Sequence, residues 1–185
     1  RTEQTTRPER IREPIRVLFL SSIKESKGVL DAILAVEELN RKGYASTLSI
    51  YGRIQKPFRS KFEQSVANSA YSQYLGEAMP DKVHNILVND ADILVLPTFY
   101  QGEGLPGILV ECVMAELPFV VTNIDGLNYY FENYHSCLVS EAQNPKDLAK
   151  KLALYVDNND LYSKIQKNLK EKKDYFSGSN FINSI

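Results

Sequence analysis

The sequence predicts an α/β fold: a doubly wound, Rossmann-like parallel sheet of about six strands with helices on both faces. Three observations carry that expectation. Short apolar runs such as Ile93-Leu-Val-Leu and Phe119-Val-Val-Thr recur along the chain, as expected for strands hidden on both faces. The stretches between them place apolar residues at helical spacing. Glycine or proline marks most boundaries, at Gly43, Gly52, Gly76, Pro80, Pro106 and Pro145.

Taken in order, Ile15-Arg-Val-Leu-Phe-Leu is the first strand. A helix follows from Lys27 to Lys42, with Val29, Leu30, Ile33, Leu34 and Val36 on its apolar side. Thr47-Leu-Ser-Ile-Tyr is the second strand, Pro57 to Asn68 a helix, and Gln73-Tyr-Leu a short third strand. Pro80 opens a helix to Asn89, and Ile93-Leu-Val-Leu is the fourth strand. Pro106 to Glu116 is a helix whose first turn tolerates proline, because that N–H has no partner in any case. Phe119-Val-Val-Thr is the fifth strand, Gly126 to Asn133 a helix, and Cys137-Leu-Val the last strand. Helices from Pro145 to Val156 and from Leu161 to Lys173 complete the domain.

Composition narrows the function classes. With 22 basic and 23 acidic residues the formal charge is −1, which lacks the basic excess of a nucleic-acid binder. Cys112 and Cys137 form no CxxC pair and sit in apolar surroundings, the pattern of reduced core thiols in a cytoplasmic protein. No apolar run approaches the roughly 20 residues that span a bilayer. The charged, pattern-free stretch 1–14 is expected to be a linker from a missing N-terminal domain, 15–175 the domain proper, and 176–185 a tail. His84 and His135 have no partner at metal-ligand spacing. The lysines of the last helix, Lys164, Lys167, Lys170, Lys172 and Lys173, read as a solvated face interrupted by Glu171 and Asp174.

Right-handed crossovers put functional loops at the carboxyl ends of the strands. Those loops are Ser21–Ser26, Gly52–Gln55, Gly76–Met79, Thr98–Gly104 and Asn123–Leu127. Three common doubly wound proteins are excluded there. No GxGxxG follows the first strand, GxxxxGK[ST] occurs nowhere, and Ser21-Ser22 stands where a phospho-accepting aspartate would be.

The informative loop is Pro97-Thr-Phe-Tyr-Gln-Gly-Glu-Gly-Leu-Pro-Gly, followed by Ile-Leu-Val-Glu-Cys-Val-Met-Ala. Gly104 and Gly107 keep the helix's amino end clear of Cβ atoms, and its free N–H groups suit phosphate or sugar oxygens. Glu111 interrupts a helix that is apolar on nearly every side. It is therefore expected to be buried, either paired with a lysine or pointing into a ligand cleft. With Ser26 as cap, Lys27 falls in the first helical turn, where the dipole disfavours a cation unless an anion binds beside it.

Glu103 and Glu111, separated by seven residues after an apolar strand and a proline, resemble the donor-site signature of the retaining glycosyltransferase family 4, of GT-B fold. Ser26-Lys-Gly resembles that family's phosphate loop, Ala91-Asp-Ile-Leu-Val-Leu-Pro-Thr its fourth strand, and Asn123-Ile-Asp-Gly occupies the place of its Gly-Gly turn. The resemblance covers residues 15–155, one GT-B half, the C-terminal donor-binding domain. Where the family has Gly-Arg after the first strand, this chain has Ser21-Ser22.

The resemblance implies a nucleoside-diphosphate sugar as donor, a glycan or lipid-linked acceptor, and no metal. It implies that Glu103 is catalytic and bonds the transferred sugar, that Glu111 accepts from the ribose hydroxyls, and that Lys27 holds the diphosphate, with Lys24 as a second cation. Backbone groups of Gly104, Leu105 and Gly107 would complete the cradle, and Gly76 and Ala78 would meet the nucleobase. The full-length enzyme is expected to be cytoplasmic, peripheral to the inner face of the membrane, and to act in polysaccharide biosynthesis, the isolated domain being inactive. A GT-B sugar-nucleotide epimerase and a non-catalytic nucleotide-binding domain are the alternatives; an epimerase would consume donor without an acceptor.

Overall fold

In a computed structural model of the chain, residues 11, 13–123 and 125–177 are described. Most of the expected linker and of the expected tail lies outside them, as does Ile124 of the Asn123–Gly126 turn.

Six strands form one all-parallel sheet: β1 Ile15–Leu20, β2 Ser46–Tyr51, β3 Ser72–Tyr74, β4 Ile93–Leu96, β5 Phe119–Thr122 and β6 Leu138–Ser140. Their order is β3-β2-β1-β4-β5-β6. The α-helices are α1 Val29–Arg41, α2 Arg59–Ala67, α3 Pro80–Asn85, α4 Gly107–Met114, α5 Asp125–Asn128, α6 Pro145–Asp157 and α7 Asn159–Phe176. The fold class therefore matches the one predicted from the sequence.

Every residue of β4 and β5 is buried, which requires helices on both sides of the sheet. The chain steps outward from β1 through β2 to β3, then returns to β4 and continues the other way. Since parallel crossovers are right-handed, the two directions lay their helices on opposite faces. Helix α1 packs with α6, and α4 packs with α7. Each buries one apolar stripe: Val29, Ala32, Ile33, Val36 and Leu39 on α1, and Leu148, Leu152 and Tyr155 on α6. The hydroxyls of Tyr155 and Tyr162 reach through the core to the carbonyls of Phe119 (3.0 Å) and Asp92 (2.9 Å), so neither ring carries an unmet polar group.

Two elements differ from the sequence expectation. The stretch 126–133 holds only the single turn α5, and then Asn133 forms a bridge with Cys137. The helix opened by Pro80 is α-helical only to Asn85 and continues as a π turn over Ile86–Asp90. That wider turn buries Ile86 and Leu87.

An ion pair with one buried partner lies away from the strands' carboxyl ends. Asp92, 2% exposed, accepts from Arg16 Nη2 at 2.7 Å, from Nε at 3.0 Å, and from the Arg16 backbone at 2.9 Å. It joins the start of β4 to β1. The bond to Asp92 is the main cause raising the Arg16 guanidinium above its ordinary value.

Candidate donor site at the switch point

Helices leave β1 and β4, neighbours in the sheet, in opposite directions, which opens a crevice at their carboxyl ends. The loops on its two sides are bonded together. The Ser26 carbonyl, after β1, accepts from the Phe99 N–H at 2.9 Å and the Thr98 hydroxyl at 3.1 Å, both after β4. Gly28 makes this approach possible. It has φ +73°, and a Cβ there would lie 2.0 Å from the Pro97 carbonyl oxygen. Gly52 serves the same purpose at the neighbouring strand, where a Cβ would lie 1.7 Å from the Ser21 carbonyl oxygen.

Lys27 does not stand where the sequence placed it. A 3-10 turn occupies Glu25–Lys27, Gly28 precedes α1, and Ser26 caps nothing. The turn directs the Lys27 side chain across the crevice to Glu103, and Lys27 Nζ pairs with Glu103 Oε2. The two side chains are only 11% and 9% exposed. The same carboxylate oxygen lies 2.8 Å from the Thr98 hydroxyl. The backbone behind Glu103 is fixed as well: its N–H bonds the Tyr100 carbonyl at 3.1 Å, and a Cβ on Gly126 would come within 2.7 Å of its carbonyl oxygen.

Glu111 also corrects the expectation. Only Leu109, Cys112 and Val113 of α4 are buried, and Glu111 is exposed. Apolar composition misled here, because a helix against a sheet buries a stripe and not its whole circumference. Gly107, Glu111 and Met114, all exposed, follow the helical repeat and share one open side. Among the described residues no hydrogen bond or ion pair engages the Glu111 carboxylate. Pro106 precedes the helix instead of beginning it, with ψ 128°, so the first helical residue is Gly107. Cβ atoms built on Gly104 or Gly107 would meet nothing within 4 Å, and Leu105 between them is half-buried.

The remaining expected residues lie further out. Gly76 and Ala78 follow β3, the edge strand, two strands from β1 and hence roughly 10 Å along the sheet. The Gly76 carbonyl accepts from Gly52 N–H at 2.8 Å, which ties that loop to the one after β2. Lys24 places its ammonium 4.2 Å from the centre of the Tyr100 ring, and Lys27 lies 5.8 Å from the same ring. Two cations thus converge on one aromatic side chain at the mouth of the crevice. Sequence reading missed Thr98 and Tyr100. Their sole signal was position in the loop after an apolar strand, shared by every neighbour there.

His84 and His135 are exposed. A cavity of about 510 Å³ lined by Tyr129, Tyr130, Glu132, His135 and Lys172, among others, includes none of the expected site residues. Cys112 and Cys137 are buried and not joined in a disulfide, and burial pushes the Cys137 thiol up to about 12. Among the described residues no helix is long and apolar enough to cross a membrane.

Fold and crevice together define a doubly wound α/β domain with a candidate ligand site at the switch point of its parallel sheet. The chain belongs to the glycosyl transferases group 1 family, whose model matches residues 1–172. It is 29% identical over 157 residues to an N,N'-diacetylbacillosaminyl-diphospho-undecaprenol α-1,3-N-acetylgalactosaminyltransferase of Campylobacter jejuni, covering 85% of this chain and 39% of that protein. Identity to a glycosyltransferase of Methanocaldococcus jannaschii is 26% over 162 residues, covering 86% and 43%. The chain thus spans less than half the length of these relatives. Among solved structures, Anabaena HepE in complex with UDP-glucose superposes with a TM-score of 0.80 at 14% identity, over 92% of this chain and 47% of that one. The catalytic domain of a Helicobacter pylori cholesterol-α-glucosyltransferase gives 0.72 at 15% identity, over 89% and 99%. At such identities the likeness is one of fold.

Proposed function

We propose that this chain is the donor-binding half of a retaining GT-B glycosyltransferase of family 4, which takes its sugar from a nucleoside diphosphate. The observation that carries this reading is the buried Lys27–Glu103 pair at the switch point, set beside the unobstructed amino end of α4. A cation and a carboxylate placed together in a cleft suit a ligand that joins an anionic diphosphate to a neutral, hydroxyl-rich sugar.

In this reading Lys27 turns from Glu103 to the diphosphate, and Lys24, poised on Tyr100, supplies the second positive charge. As the glycosidic bond opens, negative charge gathers on the leaving diphosphate, where fixed cations and N–H groups lower the barrier. Amides of Gly104, Leu105 and Gly107 line that side. Glu103, released from Lys27, accepts from the sugar's hydroxyls, and the exposed Glu111 accepts from the ribose. Gly76 and Ala78 meet the nucleobase through their backbone. The cations and helix end take the role a metal would otherwise fill. The acceptor is a glycan or lipid-linked glycan held mainly by the other half, at the cytoplasmic face of the membrane, in polysaccharide biosynthesis. The lipid-diphosphate acceptor in the name of the Campylobacter jejuni relative supports that class.

Calorimetry of the chain against UDP, GDP, ADP and CDP tests the reading. One of them should bind in the micromolar to millimolar range. The absence of binding by all four at millimolar concentration would overturn it.

A further inference from the structure

The Glu103 carboxylate has two partners, and the proposed ligand removes one. A diphosphate bound at Lys27 competes with Glu103 Oε2 for its ammonium and draws it away from the carboxylate. The partner left behind is Thr98, whose hydroxyl is 2.8 Å from the same oxygen. Thr98 is 0% exposed and anchored on every side. Its carbonyl accepts from the Thr122 hydroxyl, and its own Oγ1 accepts from Tyr100 N–H at 3.3 Å. One hydroxyl carries one hydrogen, and two acceptors lie within its reach, Glu103 Oε2 and the Ser26 carbonyl at 3.1 Å. While Lys27 bonds the carboxylate, that hydrogen can serve Ser26. After Lys27 leaves, it is the donor at hand for Glu103. Ser26 loses nothing essential by the exchange, because the Phe99 N–H still bonds its carbonyl at 2.9 Å.

We infer that Thr98 is a positioning residue for Glu103, and that its hydroxyl takes over the carboxylate when a diphosphate draws Lys27 away. This rests on the proposed donor site. Thr98 touches neither diphosphate nor sugar, and acts by holding Oε2 so that Oε1 is presented to the sugar's hydroxyls.

The experiment compares each nucleoside diphosphate with its sugar-bearing counterpart (UDP with UDP-glucose, GDP with GDP-mannose, ADP with ADP-glucose) on the parent chain, Thr98→Val and Thr98→Ser. Thr98→Val keeps the side chain's shape and deletes the hydroxyl. It should leave diphosphate affinity within about twofold, while the extra affinity contributed by the sugar falls by roughly tenfold, the size expected for a hydrogen bond to a charged group. Thr98→Ser should restore that sugar-dependent increment. Melting temperatures identify a variant that fails to fold. If Thr98→Val fails, Thr98→Ala and Thr98→Ser carry the comparison. Equal weakening of both ligands in the hydroxyl-less variant, or no weakening of either, overturns the role of Thr98. Failure of every ligand to bind the parent chain overturns the donor site itself, and this inference with it.

Discussion

Removing one partner of the Lys27–Glu103 pair should destabilise the empty chain, and removing both should do so by less than the sum. The two side chains are 11% and 9% exposed, so either charge left alone is poorly hydrated. Breaking a buried pair costs about 3–5 kcal/mol. The pair lies at the mouth of a crevice, and Thr98 stays within 2.8 Å of Glu103, so the lower end applies, about 3 kcal/mol. For a domain of this size that corresponds to roughly 6–12 °C in Tm. Lys27→Met and Glu103→Gln should each show it, and the double variant should recover on the order of 2 kcal/mol of the summed loss. The assay is urea unfolding of the four proteins at one pH without ligand, with equal m-values confirming that the unfolded state is unchanged. Strict additivity, or single variants melting within about 2 °C of the parent, would refute the argument that burial makes this pair strong. The same perturbation has a functional sign. Since Lys27 no longer has a partner to give up, Glu103→Gln should bind the nucleoside diphosphate as tightly as the parent or more tightly, while the full-length enzyme loses most of its turnover.

Four further outcomes are expected. Lys27→Ala should weaken nucleoside diphosphate binding by about 1.5–3 kcal/mol and leave the free nucleoside almost unaffected, as calorimetry with both ligands will show. Glu111→Gln should lower nucleotide affinity by about 1–2 kcal/mol without moving Tm, because the carboxylate is exposed and no hydrogen bond or ion pair engages it among the described residues; a loss of stability with unchanged affinity would make it structural. Gly28→Ala, forced into φ +73° and against the Pro97 carbonyl, should lower stability by about 3 kcal/mol or more, whereas Gly104→Ala, with nothing within 4 Å, should melt like the parent and bind ligand less well. Burial raises the Cys137 thiol to about 12 in the folded chain, so its contribution is intact below the unfolded thiol's value of about 8.5 and is lost as pH rises from there towards 12. Urea midpoints at pH 8 and pH 10 should therefore fall more steeply for the parent than for Cys137→Ala.

Periodicity and punctuation in the sequence were enough to predict the sheet and most of its helices, because apolar runs buried on both faces admit few other arrangements. The loop carrying Glu103 was legible for a related reason, as the residues after an apolar strand must emerge at the functional edge of such a sheet. The Glu103–Glu111 spacing, together with the Ser26-Lys-Gly, Ala91–Thr98 and Asn123–Gly126 segments, pointed to the family. Local sequence fails where a residue's surroundings are assembled from distant regions of the chain. Lys27 looked like a first-turn lysine, but Gly28, pressed against Pro97, delays the helix and turns Lys27 towards a carboxylate 76 positions away. Glu111 looked buried because its neighbours in sequence are apolar, yet which side of α4 meets the sheet is set by packing on Leu109, Cys112 and Val113. Thr98 carried only the signal of its place in the loop after an apolar strand: a threonine beside a proline is unremarkable until tertiary structure brings Ser26, Glu103 and Thr122 around it. Sequence by itself determined the strands, their exposed edge and the acids on it. Only the tertiary structure decided which charges meet, because a hydrogen bond depends on a few tenths of an ångström in space and takes no account of distance along the chain.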